Sequence, residues 1–276
     1  MKTLSNREIQ LGAYEVLKQL DQICQKNNIK YFLTYGTLIG AIRHKGIIPW
    51  DDDIDVMMPR PDYEKFKKYC VENASTLEPY KLFDADLNEK YPHRIARFSD
   101  QRFHLVFDNE QDYDIGLFVD IYPLDAIGDD YEEAIKLIHT TKKLASLCFL
   151  TSRIAYGVDN TDSKIKMLIK YPAYLYAKLK GNKFFLKELQ RLSTKYSYEE
   201  SKYVACIAWP AGYKYGRERD VFEKTIFDTI LAPFEDSSFP IPVGYDEFLK
   251  TTYGDYMTLP DENGKKTHHT YIAYRR

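Results

Sequence analysis

The segment "PWDDDIDVMMP", residues 49–59, packs four aspartates into five positions and then turns apolar without a break. An acid run is ordinarily a solvated face, yet Ile54, Val56, Met57 and Met58 are residues that favour burial. Side chains alternate along a strand, so Asp53 and Asp55 project from one face and Ile54 and Val56 from the other. Two carboxylates held side by side repel each other, and a hard divalent cation neutralises them. The segment therefore predicts a rigid strand that holds paired oxygens for Mg²⁺ or Mn²⁺. A third ligand is offered by "FVDIYP", where Asp120 stands alone between Val119 and Ile121. A lone buried acid is expensive without a partner. Asp53, Asp55 and Asp120 are thus read as metal ligands and catalytic acids, able to hold two metals that clamp the attacking and leaving oxygens of phosphoryl transfer.

Other readings of the same acids are weaker. An EF-hand loop needs glycine where Val56 stands and a bidentate glutamate where Asp62 stands. A solvated acidic turn does not account for the apolar residues that follow. Asp51 and Asp52 stay open between outer ligands and loop charges.

Helical periodicity runs from Asn6 to about Lys26, with Ser5-Asn6 as the cap. "KYFLTYG" reads as a buried strand ending at Gly36, "TLIGAIRH" as a short helix opening at Thr37, and "RPDYEKFKKYCVEN" as a helix with Pro61 in its first turn. "KLFDAD", "HRIARFSD" and "FHLVFD" read as short strands, and "IGLFVDIYPLDAIG" as a buried one ended by Pro123. Long helical patterns then occupy Tyr131–Leu150, Ser163–Lys180 and Phe184–Tyr196. "YVACIAW" returns to strand, and "FDTILAPFEDSSFPIPVGYDEFLKTTYGDYM" reads as strand, turn and final helix. The expected fold is α/β (α+β): a mixed sheet flanked by helices over residues 1–130, a helical insertion over 131–200 facing acceptor or membrane, and a return to the core over 201–276.

Around the acids, Gly36 and Thr37 follow a strand and open a helix, a position from which backbone N–H groups reach a phosphate. Arg43 suits bidentate phosphate binding; with His44 and Lys45 it also counterbalances the aspartates. Cys24, Cys70, Cys148 and Cys206 are far apart and form no CxxC pair, which speaks against zinc and a disulfide framework. The N-terminal segment lacks the apolar core of a signal peptide and no run is long enough to span a bilayer, so the expected location is cytoplasmic. A formal net charge of −2 gives no case for nucleic acid.

The order of these motifs resembles the nucleotidyltransferase superfamily: Gly-Thr after a strand, Asp-x-Asp at the next strand, then a distant acid in an apolar strand. More narrowly, "YGTLIGAIRHKGIIPWDDDIDVMMPRPDYEKF", "VDIYPLD" and "YDEFLKTTYGDYMTLP" are similar to the LicD family. The resemblance covers Tyr31–Phe66, Phe118–Asp125 and Tyr245–Pro260. It implies transfer of phosphocholine from CDP-choline to a sugar hydroxyl of a surface glycopolymer such as teichoic acid, built on a lipid carrier at the inner membrane face. Metal ligands on Asp53, Asp55 and Asp120 follow from the same motifs. Asp120 can take the acceptor's proton. The main rivals are a strict nucleotidyltransferase moving an NMP from NTP, a transferase of another CDP-linked alcohol phosphate, and a non-catalytic metal- or ligand-binding module.

Quaternary ammonium groups are recognised by aromatic faces, and Tyr35, Trp50, Tyr122, Trp209 and Tyr213 lie in or near the motifs. Tyr35, Trp50 and Tyr122 are grouped with Gly36, Thr37 and Arg43 as substrate-binding candidates. Arg94 and Arg97 are read as lining one strand face toward the nucleotide, or else a solvated edge. Residues 163–191 carry eight Lys/Arg and one Glu among aromatic and aliphatic residues, a pattern suited to peripheral contact with an anionic membrane.

Overall fold

The computed structural model describes residues 3–157, 164–214, 218–261, 265 and 271–276. Helix α1 (Asn6–Asn27) begins with a complete capping box between Ser5 and Glu8 and stops where Asn28 turns left-handed at φ 51°. Its apolar stripe, including Val16, Leu17 and Leu20, is fully buried against the sheet. After the two-residue β1 (Phe32–Leu33) the chain enters α2 (Tyr35–Ile39), which widens into a π-helical turn over Gly40–His44. Then follow β2 (Asp55–Pro59), α3 (Arg60–Glu72), α4 (Ala74–Leu77), β3 (Tyr80–Phe83), β4 (Ala96–Asp100), β5 (Phe103–Phe107) and β6 (Leu117–Gly128). Helices α5 (Tyr131–Ser152), α6 (Lys164–Lys180) and α7 (Asn182–Ser193) precede β7 (Tyr203–Ala205) and β8 (Phe222–Glu223). A hairpin, β9 (Thr229–Phe234) and β10 (Ser237–Pro242), leads to α8 (Tyr245–Tyr253) and β11 (Tyr271–Arg275).

The fold is α/β, with a mixed sheet in the order β1-β2-β6-β4-β3 extended by β7 and β8. Within it β2 and β6 run parallel, with Asp55 opposite Asp120, while β4 runs antiparallel to β6 with Arg97 opposite the same Asp120. A parallel pair needs a long crossover, and here the chain between β2 and β6 supplies α3, α4 and β3 to β5. A separate apolar cluster lies under α5 and α7, where Ala134, Ile138, Phe185 and Leu189 pack with Ile207.

Three sequence readings need correction. The strand does not reach Gly36: it ends at Leu33, and helix begins at Tyr35 rather than Thr37. Tyr35 adopts φ 46° at this switch, a conformation that sequence patterns do not signal for an aromatic residue. Pro123 does not end its strand, because β6 continues to Gly128. The β4 ladder to β6 stops at Ile121 and that of β7 starts at Asp125, so the missing proline N–H falls between two antiparallel partners. The segment after Phe227 forms two strands, not one, closed by a tight turn in which Glu235 takes φ 55°. Pro240 and Pro242 demote the second strand in a sequence reading, but a two-stranded ribbon has outer edges that tolerate them. Finally, Ser163, read as a helix start, lies outside the described residues.

Candidate active site

Three carboxylates meet where β2 and β6 begin to run side by side. Asp120 N–H donates to the Ile54 carbonyl at 2.9 Å, which extends the parallel ladder back toward Asp53. The alternation of the extended chain then sets Asp53 and Asp55 beside Asp120, each with an oxygen within 4.8 Å of the others. Asp55 and Asp120 are buried. Burial, and then the charges of Asp53 and Asp120, push the Asp55 carboxyl well above the usual carboxylate range. Its Oδ1 is buried and accepts no hydrogen bond. An orphaned carboxylate oxygen inside a cluster of hard oxygen donors fits a divalent cation of the Mg²⁺ or Mn²⁺ type. Asp51, Asp52 and Asp53 form a second oxygen cluster that shares Asp53.

The loop bearing these acids is held from behind. Gln10 on α1 donates to the carbonyls of Ile48 at 3.2 Å and Asp51 at 2.7 Å. Tyr271 donates to the Asp52 carbonyl at 3.0 Å. Thr37 Oγ accepts from the Asp55 amide at 2.8 Å and so fixes the start of β2. A Cβ on Gly36 would stand 2.8 Å from Asp51 Oδ2, so a larger residue here would displace the Asp51 carboxylate.

Sequence reasoning expected a metal as the partner of Asp120 and missed its protein partner. Arg97 lies directly opposite on β4 and donates from Nε to Asp120 Oδ1 at 2.8 Å. Its guanidinium sits 4.1 Å from the centre of the Phe118 ring and also reaches the Tyr113 hydroxyl at 3.3 Å. Burial alone lowers the Arg97 pKa, but Asp120 beside it keeps the group well above its ordinary value. Arg94 is not on the same face as Arg97. It precedes β4, three residues away, and directs its donors to the Leu186 carbonyl at 2.9 Å and Asp86 at 2.8 Å. Neither arginine is a solvated strand edge. The available signal was cross-strand pairing, which needs the register.

Beside Asp120 opens a cavity of about 340 Å³ whose walls include Arg97, Tyr122, Phe149, Arg153 and Trp209. Arg153 covers the Phe149 ring at 4.0 Å and Arg97 covers Phe107 at 5.3 Å. Trp209 meets Phe149 edge-on at 5.5 Å. Tyr35 packs edge-on against Tyr122 at 4.9 Å and lies tilted against Phe248 at 5.8 Å. Trp50 lies elsewhere, with His44 at its edge and the Lys265 ammonium 5.7 Å from its ring centre. Arg43 donates to the carbonyls of Tyr256 at 2.6 Å and Thr258 at 3.3 Å, which ties the π-helical turn to the C-terminal segment. Tyr253 was not anticipated: desolvation of its hydroxyl, then the charges of Asp55, Asp53 and Asp51, raise its pKa above the usual phenol range.

Residues 28–149 match the family described as LicD/FKTN/FKRP, nucleotidyltransferase domain. The lipopolysaccharide cholinephosphotransferase LicD of Haemophilus influenzae is 32% identical over 279 residues, covering 99% of this chain and 99% of that protein. Uncharacterized proteins of Rickettsia typhi and Rickettsia prowazekii are 45% and 48% identical over 58 and 52 residues, about a fifth of each chain. The likeness to the Haemophilus protein runs from end to end, and the acid-bearing strands fall within the matched domain, so this chain belongs to the LicD family.

Proposed function

We propose that this protein is a phosphotransferase that moves phosphocholine from CDP-choline to a sugar hydroxyl of a surface glycolipid or glycopolymer. The observation that carries this reading is the convergence of Asp53, Asp55 and Asp120 within 4.8 Å, in a chain that matches a cholinephosphotransferase over its whole length. Asp53, Asp55 and Asp120 would hold one or two Mg²⁺ or Mn²⁺ ions. Bound there, such an ion supplies Lewis-acid stabilisation of charge on the phosphoryl oxygens.

The protein's own groups do the rest. An acceptor hydroxyl attacks the choline-bearing phosphorus of the donor. The bond from that phosphorus to the bridging oxygen breaks, and CMP departs. The hydroxyl proton passes to Asp120, whose Oδ1 is already anchored by Arg97. Thr37 and Gln10 hold the acid loop in register for this step. The Phe149 and Phe107 faces in the adjoining cavity are occupied by guanidinium groups. That cavity therefore suits the polar acceptor sugar better than a quaternary ammonium, which seeks an open aromatic face and a carboxylate.

The test is CMP release from a panel of CDP-choline, CDP-ethanolamine and CDP-ribitol with Mg²⁺ and a glycan acceptor. CDP-choline is expected to be the best donor, with activity abolished by EDTA. Asp55→Asn is expected to cut turnover by about a thousandfold, in line with loss of phosphoryl charge stabilisation, and to remove the Mg²⁺-dependent rise in thermal midpoint. Pyrophosphate released from an NTP, with no CMP from any CDP-linked donor, would refute the reading.

A further inference from the structure

Helix α6 presents its apolar side to solvent. Ile165, Leu168, Ile169 and Leu179 are 74%, 76%, 72% and 84% exposed, and Leu175 and Tyr176 are about half exposed at 49% and 46%. With about 100° of rotation per residue these six positions fall within an arc of roughly 120°. The inward side of the same helix is supplied by Ala177, which is fully buried, and by Tyr174, half-buried, tilted against Tyr156 and stacked with Tyr171. An amphipathic helix ordinarily turns such an arc toward the core. Here the inward side is already packed, and the aliphatic arc has no cover among the described residues.

The charge around this arc is mainly basic, with Glu89 paired to Lys183 and Glu188 paired to Arg191 as nearby acids. Lys178, Lys180, Lys183 and Lys187 follow along α6 and the first turns of α7, and α6 itself contains no acid. Lys180 lies over the rings of Tyr176 and Phe184 at 6.0 and 5.3 Å, at the border between aromatic and solvent. Apolar side chains bordered by lysines and tyrosines match the depth profile of an anionic bilayer interface. No helix among the described residues is long and apolar enough to cross a membrane.

The position of the arc connects it to the acids. A groove of about 1000 Å³ runs between α5 and α6, bordered by Lys142, Lys143, Lys170 and Tyr213. It shares Ala145, Phe149 and Trp209 with the cavity that ends at Asp120. A headgroup projecting from a lipid surface beneath α6 thus has a basic path toward the site.

We infer that α6 and the start of α7 seat on an anionic lipid surface, so that a lipid-anchored acceptor enters through the α5–α6 groove. The use made of the seat rests on the transferase reading above; the binding itself does not. Sedimentation of the full chain is compared with vesicles of phosphatidylcholine alone and with added phosphatidylglycerol. Binding is expected to need the anionic lipid and to weaken at high salt. Leu168→Glu and Leu179→Glu, both at exposed positions, are each expected to weaken it by roughly tenfold, the factor for withdrawing one leucine from the interface. With a water-soluble acceptor the same variants keep wild-type CMP release, and with a vesicle-embedded acceptor they lose it. Absence of sedimentation at low salt, equal binding by the variants, or a concentration-dependent dimer that the variants abolish would overturn the inference. Loss of CMP release by the wild-type protein with every acceptor would instead sink the transferase reading and leave the lipid result standing.

Discussion

A guanidinium 2.8 Å from Asp120 fixes one oxygen of the acid assigned to take the acceptor's proton. Lysine in its place keeps the charge but loses the planar fork that reaches both Asp120 and the Tyr113 hydroxyl. Arg97→Lys is therefore expected to lower kcat by about 10- to 100-fold, the range for partners that orient a metal-binding acid. KM for the donor should change much less, and a steady-state kcat-against-KM comparison checks this. Equal losses in both would make Arg97 a substrate contact rather than a positioning residue. The sequence revealed the acids at this scale because an acid inside an apolar strand is conspicuous by itself. It did not reveal Arg97 as their partner, since the pairing joins strands between which the chain runs out to form β5.

Among the elements, α3 and β6 are locked by a buried ion pair. Arg60 Nε, at the first residue of α3, donates to Asp125 Oδ1 at 2.6 Å, and Asp125 is completely buried. Burial raises the Asp125 pKa, and Arg60 opposes that shift. Such a pair adds little net stability when intact, but removal of one partner strands the other charge. Asp125→Ala is expected to cost about 3–5 kcal/mol in urea unfolding, while Arg60→Met with Asp125→Leu together should recover most of the loss. The "VDIYPLD" motif thus carries two acids with different duties. Asp120 faces the cluster, and Asp125, five residues on, anchors a helix. Their types were readable from sequence, whereas the division of labour depends on which strand each one faces.

Across the whole molecule, Glu110 joins the sheet region to the helices that follow it. It accepts from His93 at 3.0 Å and the Tyr113 hydroxyl at 2.7 Å, and pairs with Arg153 just past α5 at 3.4 Å. Burial would raise its pKa, but His93, Arg97 and Tyr113 outweigh burial and bring it to about 2 from an ordinary 4.5. The unfolded chain takes up this proton first as pH falls, so the stabilisation is whole above about pH 4.5 and fades toward pH 2. Glu110→Gln is expected to destabilise the protein by about 3 kcal/mol at neutral pH. The gap to wild type should close as unfolding is measured at progressively lower pH across that window. A gap that stayed constant with pH would show that packing, not charge, sets the contribution of Glu110.

Local physics alone encodes part of this protein in short stretches of its chain. The period of α1 and its capping residues, the alternation that sets Asp53 and Asp55 on one face, and the amphipathic, lysine-rich character of α6 all act over a few residues. Tertiary structure alone decided the register that brings Asp120 beside Asp55 and Arg97 beside Asp120. It also decided the passage of β6 through Pro123 and the cavity closed by Phe149 and Trp209. Those features depend on pairing between distant segments. The free energy of such pairing is set by burial and hydrogen bonding across the assembled sheet, which no short window of sequence contains.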